Sequence, residues 1–245
     1  MTAISVHRRP GRLVRLGVVL DPRNDPARSA LVATFCDRAG IDAVWACQRE
    51  TWPGGGGGGP PLADVLAAAA PRLASATLGA IVAPGTPSSE IEAAVAAAGR
   101  PVEVSVPGDD DSGLPFAVAT DLAGVLVEAR RRRGPGGLAA LLPTSVGRTT
   151  AEARARADGD PLFAGWHPAE AGIFGTLEQC HDTVVILVHA GVTDLRCVVP
   201  NASDVQDVIA QLTAVAAGDP DLVDPGAPRS KAPDPPRGWG GRPRR

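Results

Sequence analysis

Lysine is nearly missing from this chain of 245 residues: Lys231 is the only one, and arginine supplies the rest of the positive charge. The formal net charge is −3, so no global field draws the protein toward nucleic acid or an anionic membrane. Arg130–Arg133 has no aromatic residues between its members, and a solvated turn before Gly134-Pro135-Gly136 accounts for it. The four cysteines, Cys36, Cys47, Cys180 and Cys197, show no CxxC and no Cys/His ligand spacing. Each falls in an apolar helix or strand pattern, where a thiol behaves as a small buried hydrophobe, so no metal and no disulfide is expected. No segment approaches the roughly 20 apolar residues of a membrane span. The start, MTAISVHRRPGRLVRLGVVLDP, is basic, but its apolar run is short and no small-residue cleavage site follows, so it is not read as a signal peptide. These absences together predict a soluble protein in a reducing, cytoplasmic setting.

What is present is apolar and well punctuated. Hydrophobic residues make up 44% of the chain, with 29 Gly and 24 Pro, enough for one sizeable core. RLGVVL (15–20) reads as a buried strand closed by Asp21-Pro22. Asp25 and Pro26 supply an N-cap and a first-turn proline for a helix over 26–39, and Gly40 is its left-handed cap by type. Further strands are predicted at 41–47, 77–83, 102–106, 114–120, 124–128, 138–146 and 194–199, with helices at 62–74, 89–98, 150–158, 176–189 and 204–217. Ser89/Glu92, Thr149/Glu152, Thr176/Gln179 and Ser203/Gln206 have capping-box spacing.

Eight strand candidates alternating with helices predict a parallel (β/α)8 barrel of the TIM type. The phrases RAGIDAVWAC (38–47) and HAGVTDLRCVVP (189–200) each read as a helix arriving, a glycine cap and a strand leaving. They are predicted as the second and eighth strands, flanking the first when the ring closes. The middle does not follow suit. Only three residues separate 120 from 124, about 10 Å of extended chain, whereas a parallel return normally takes a dozen or more. Either the runs at 114–120 and 124–128 pair antiparallel, or one is not a strand, and the barrel is compressed or incomplete between about 100 and 140. The domain plan is a flexible start (1–12), one α/β domain (13–218) and a disordered Pro/Gly/Arg-rich tail (219–245).

VRLGVVLDP…DPARSALVATFCDRAGIDAVWACQ resembles the opening of bacterial-luciferase-like flavin-dependent oxidoreductases. LLPTSVGRTTAEARARAD and FGTLEQCHDTVVILVHAGVTDLRCVVPNASDVQDVIAQL are similar to their closing part. The match runs over about 14–48 and 138–217. It implies a barrel with FMN or the deazaflavin coenzyme F420 at the C-terminal strand ends, used in monooxygenation or hydride transfer on a small organic substrate. The resemblance assigns cofactor contacts to Gln48 after the second strand, to Pro84 and Gly85 after the third, to His167 in GWHPAEAGIFG, and to Gly175 and Thr176 at a helix start suited to phosphate. Pro84 is also a place where a cis bond costs little.

The chain departs from the family where chemistry is expected. Gln48-Arg49-Glu50 stands in place of the acidic/histidine pair common after the second strand, and VSVPGDDDSG replaces a glycine-bearing end of the fourth. Asp109, Asp110 and Asp111 there disfavour an anionic phosphate. No catalytic residue is assigned, and Glu128 and Arg196 are read as strand residues pairing in or near the interior. Thr176, Asn201 and Ser203 each also have a plain reading as caps or strand-end residues, and His167 as a surface-loop residue. His181 and His189 are about two turns apart on one helix, too far to share a metal. Two functions stay open: a luciferase-like oxidoreductase, and a non-catalytic shortened barrel that binds a flavin or a protein. A third, a glycine-loop phosphate binder, has little behind it, because Gly54–Gly59 lacks G-x-G-x-x-G spacing. The oligomeric state is open between monomer and homodimer.

Overall fold

Strands buried on both faces of a parallel sheet read as short continuous apolar runs rather than as alternation, and this chain has several. In the computed structural model they form β1 (Arg15–Val19), β2 (Ala43–Cys47), β3 (Thr77–Ile81), β4 (Val102–Ser105), β5 (Phe116–Val118), β6 (Leu138–Val146), β7 (Ile173–Gly175) and β8 (Val192–Val198). The helices are α1 (Pro26–Ala39), α2 (Leu62–Ala69), α3 (Ser88–Ala98), α4 (Leu122–Arg131), α5 (Thr150–Asp158), α6 (Leu177–Ala190) and α7 (Val205–Val215). The structure describes residues 8–51, 59–108, 116–118, 122–131, 137–163, 172–201 and 204–218. The glycine run at 54–58, Asp109–Asp111, His167, Ser203 and the tail from 219 lie outside them.

The pairings among these strands are parallel, in the order β4-β3-β2-β1-β8-β6-β5, with β7 on the C-terminal half of β6. The first strand thus lies between the second and the last, as the two repeated phrases predict. Gly40 (φ 76°) and Gly191 (φ 118°) end α1 and α6 in the left-handed conformation. Among the described residues β4 and β5 do not pair, so the ring stays open at that seam.

Two strand assignments change. Residues 124–128 belong to α4, which settles the three-residue connection in favour of one run not being a strand. Leu122, Val125, Leu126 and Ala129 recur at helical spacing and pack inward, leaving Val127 62% exposed. Glu128 is therefore a helix residue and not the strand residue expected, and it pairs with Arg131 one turn on, at 2.8 Å. The eighth strand is instead β7, whose three residues are fixed by pairing with Thr144–Val146. The Ser89/Glu92 box is also absent: α3 starts one residue earlier, behind Pro87, with no side-chain cap. Glu152 turns to the Arg148 N–H at 2.9 Å, while Thr149 caps α5 from the Glu152 N–H at 3.1 Å.

Alternation along each strand divides two apolar layers. Leu16, Val18, Val44, Leu78, Leu142 and Cys197 face the helices, whereas Val19, Trp45, Ile81, Leu141 and Val198 form a second cluster on the opposite face. That face is concave. The Arg196 guanidinium of β8 stacks 3.6 Å from the Trp45 ring of β2, across β1. Arg15 of β1 reaches Glu103 of β4 at 2.8 and 3.0 Å, although strands three steps apart in a flat sheet stand about 14 Å apart. Gly17 and Gly79 flank Trp45, and a Cβ at either would collide with the indole. The large ring is admitted because its neighbours have no side chains.

Candidate functional site at the C-terminal mouth

In a parallel α/β sheet the strand C-termini gather loops and helix starts along one rim, where ligand sites form. The polar groups densest on this rim come from β1, α5 and β8. Asp21, directly after β1, takes Arg23 in a two-point bond: Nε donates to Oδ1 at 3.0 Å and Nη2 to Oδ2 at 2.7 Å. The same Nη2 donates to Asp160 Oδ1 at 2.8 Å. Asp160 Oδ2 accepts the Asn201 backbone N–H at 2.6 Å, and Asn201 Nδ2 donates to Asn24 at 2.6 Å. Its hydrogen bonds, first of all to Asp21, hold the Arg23 guanidinium above arginine's ordinary pKa. With Arg156, Gly159 and Pro161 these residues line an open cleft of about 540 Å³. The network carries fixed charge of both signs, and the sequence did not single it out except at Asn201. Its members are scattered from residue 21 to residue 201, so no local spacing could reveal it.

Beside the cleft, α5 crosses from the end of β6 toward the ends of β1 and β8. The turn after it, Pro161–Phe163, buries Leu162 (2% exposed) and Phe163 (3%) against the concave face. They join Ala157 in one cluster with the last inward residues of four strands: Val19, Cys47, Ile81 and Val198. Phe174 meets Phe163 edge-on, centroids 6.4 Å apart. The mouth is therefore closed with hydrocarbon.

The predicted cofactor contacts are dispersed over this rim. Gln48 follows β2, and both ends of its carboxamide are engaged: Oε1 accepts from Ala83 N at 2.7 Å and Thr86 Oγ1 at 2.9 Å, and Nε2 donates to Glu90 at 3.1 Å. It fastens the β3–α3 loop to β2, and it borders a separate 160 Å³ pocket between α2 and α3. Pro84 and Gly85 lie in that loop. No peptide bond is cis among the described residues, and Gly85 has φ 84°, which the tight turn requires. Gly175 ends β7, and Thr176 caps α6 in a complete capping box with Gln179. Gln179 Oε1 also accepts from Thr150 Oγ1 at 2.7 Å, tying the starts of α5 and α6 together. The structure thus places Gly175 and Thr176 at the start of α6, and Gln48 with Pro84 and Gly85 in a second group around the β3–α3 loop. His167 lies outside the described residues.

The cysteines supply no nucleophile. Burial pushes the thiols of Cys47, Cys180 and Cys197 up to about 12, and that of Cys36 higher still, so none is a thiolate near neutrality. All four are free and buried. Below the mouth, burial opposes the charge of Arg196 and lowers its pKa, whereas for Arg15 burial is outweighed by Asp194 and Glu103. No group of three or more His, Cys, Asp or Glu among the described residues could hold a metal, and none of the described helices is long and apolar enough to cross a membrane.

A flavin or deazaflavin ring at the strand C-termini would need the volume that Leu162 and Phe163 occupy. With those two side chains in place the strand ends do not admit such a ring, while the cleft lined by Arg23, Arg156 and Asp160 stays open beside them.

No protein-family profile matches the chain, and no curated protein matches it. Solved structures do. The coenzyme F420 dependent tetrahydromethanopterin reductase from Methanopyrus kandleri superposes with a TM-score of 0.56 over 81% of this chain and 97% of that one, at 14% identity. An F420-dependent secondary alcohol dehydrogenase in complex with an F420-acetone adduct gives 0.54, covering 82% and 99%, at 12% identity. The oxygenating constituent of 3,6-diketocamphane monooxygenase from the CAM plasmid of Pseudomonas putida, in complex with FMN, gives 0.54, covering 83% and 98%, at 11% identity. At such identities the likeness carries architecture alone. The chain shares the α/β barrel fold of these three enzymes, with the ring left open at one seam among the described residues.

Proposed function

We propose that this protein is a luciferase-like oxidoreductase that uses FMN or coenzyme F420 on a small organic substrate. The observation that carries the reading is the shared barrel, aligned over nearly the whole length of two F420-dependent enzymes and an FMN-bound monooxygenase. The rim cleft supports it. Its mixed lining of Arg23, Arg156, Asp21 and Asp160 suits a polar ligand held by several hydrogen bonds rather than a bare apolar molecule. The helix start at Gly175-Thr176 is the assigned place for a cofactor phosphate. Flavin and substrate are the partners this reading requires.

The closed mouth favours a second reading, a non-catalytic barrel that binds a protein or an isolated polar ligand. Spectroscopy separates the two. The purified protein is titrated with FMN and with F420 while cofactor fluorescence is followed, and turnover is sought with a reductant. Micromolar binding accompanied by turnover is the expected result. Absence of binding of either cofactor at millimolar concentration overturns the oxidoreductase reading.

A further inference from the structure

The closed mouth and the polar network beside it belong to one piece of chain. Phe163 and Leu162 fill the space inside the strand ends, and two residues earlier Asp160 is pinned from both sides. Its Oδ1 accepts from Arg23 at 2.8 Å and its Oδ2 from the Asn201 backbone at 2.6 Å. Asp160 also organises the turn itself, accepting the Leu162 N–H on Oδ1 at 2.8 Å and the Phe163 N–H on its carbonyl at 3.0 Å. One carboxylate thus joins the ends of β1 and β8 to the aromatic plug. The latch is unevenly open to water, with the Arg23 side chain 29% exposed and that of Asp160 8%, whereas Leu162 and Phe163 are buried. The latch and the turn it holds therefore open together as one local unit, at a free energy below that of global unfolding.

We propose that Asp160–Phe163 is a built-in plug of the barrel mouth, latched by Arg23, and that a planar ligand reaches the strand ends only when the plug swings out. The statement about ligand access rests on the oxidoreductase reading; the plug itself does not. It explains why the inward residues at the strand ends lie under hydrocarbon in a fold shared with cofactor-dependent enzymes: the chain's own Leu162 and Phe163 pack on them. Phe163 supplies the flat apolar surface that an aromatic ligand would replace.

Amide hydrogen exchange on the whole protein tests this without any ligand. The Phe163 amide is the reporter, because its bond to the Asp160 carbonyl survives Asp160→Asn. In the wild type it should exchange at least about tenfold faster than the inner amides of β8, and Asp160→Asn should accelerate it about tenfold more while β1 and β8 are unchanged. Exchange of Phe163 at the β8 rate in both proteins overturns the plug. Phe163→Ala, which empties the mouth and leaves the latch, should take up one equivalent of the planar dye anilinonaphthalene sulfonate where wild type takes none; a folded variant that takes up none also overturns it. FMN then separates the two claims. At least fivefold tighter binding to Asp160→Asn supports the plug as a gate, and equal affinity with Phe163 still protected in the complex overturns it. If FMN and F420 bind neither protein while the exchange and dye results hold, the cofactor reading fails and the plug stands.

Discussion

Trp45 is the residue around which the concave face is arranged. It is fully buried in β2, carries the Arg196 guanidinium on its face, and lies against two positions that have no side chain. Cation–π contact in a desolvated site is worth about 2 kcal/mol, but the pair also brings a buried charge that Asp194 must balance, at 3.3 Å. The glycines are the more exposed point of this design. Gly79→Ala puts a methyl group into the indole, and overpacking of this kind costs about 1–3 kcal/mol. Urea denaturation should show the corresponding drop in midpoint, and Trp45→Leu in the same chain should recover part of it. A wild-type midpoint for Gly79→Ala alone would mean that the indole does not rest on Gly79. In the sequence Gly79 looks like any glycine within an apolar run, since its meaning is supplied by a ring 34 positions away.

Among the elements, α1 shows how far local chemistry reaches. Asp25 caps it by accepting the Arg28 N–H at 2.7 Å, Pro26 opens it and Gly40 closes it, and its bounds coincide with those predicted. Its last turn does something no local rule states. The Asp37 carboxylate accepts the backbone N–H groups of Ser75 and Ala76, both at 2.9 Å, fastening α1 to the start of β3. Partial burial opposes the Asp37 charge, but these bonds outweigh it and set the pKa below the ordinary carboxylate value. A depressed folded pKa contributes stability that is fully present above the unfolded value, about 3.9, and is lost as pH falls through the folded one. The thermal midpoint of the wild type should therefore fall on acidification below about pH 4, and Asp37→Asn should flatten that limb. An unchanged acid limb in the variant would remove Asp37 from the account. The weaker elements are short or uncapped: β7 has three residues, and α3 starts without a side-chain cap.

For the whole molecule, the sheet joins its two ends and leaves its middle open. β1 pairs with β8 over its full length and with β2 over Gly17–Val19, while among the described residues β4 and β5 end the strand order and do not pair with each other. Unpaired edges open more readily than central strands. Half of the β4 amides, those pointing into the seam, should thus exchange at least about tenfold faster than the β1 amides in native-state hydrogen exchange. Equal protection of all four β4 amides would show the ring closed in solution. Glu103 lies on β4, one end of the strand order, and its side chain is 21% exposed while its partner Arg15 is 1% exposed. Closure of the ring and closure of the mouth are separate matters, one decided by backbone pairing and the other by Leu162 and Phe163.

Taken alone, the sequence determined the parallel α/β architecture, the bounds of α1 and α5, the capping box at Thr176, the burial of the cysteines and the meeting of the second and eighth strands around the first. All of these follow from local signals: apolar period, caps and the reach of a short connection. Residues 124–128 were misassigned because five apolar-rich residues fit strand and helix alike, and only packing against α6 and the core selects the helix. The tertiary structure alone decided the Asp21–Arg23–Asp160–Asn201 network, the bed of glycines under Trp45 and the plug at the mouth. Each joins residues distant in the chain through a contact of a few ångströms, and such contacts leave no period or spacing in the sequence from which they could be read.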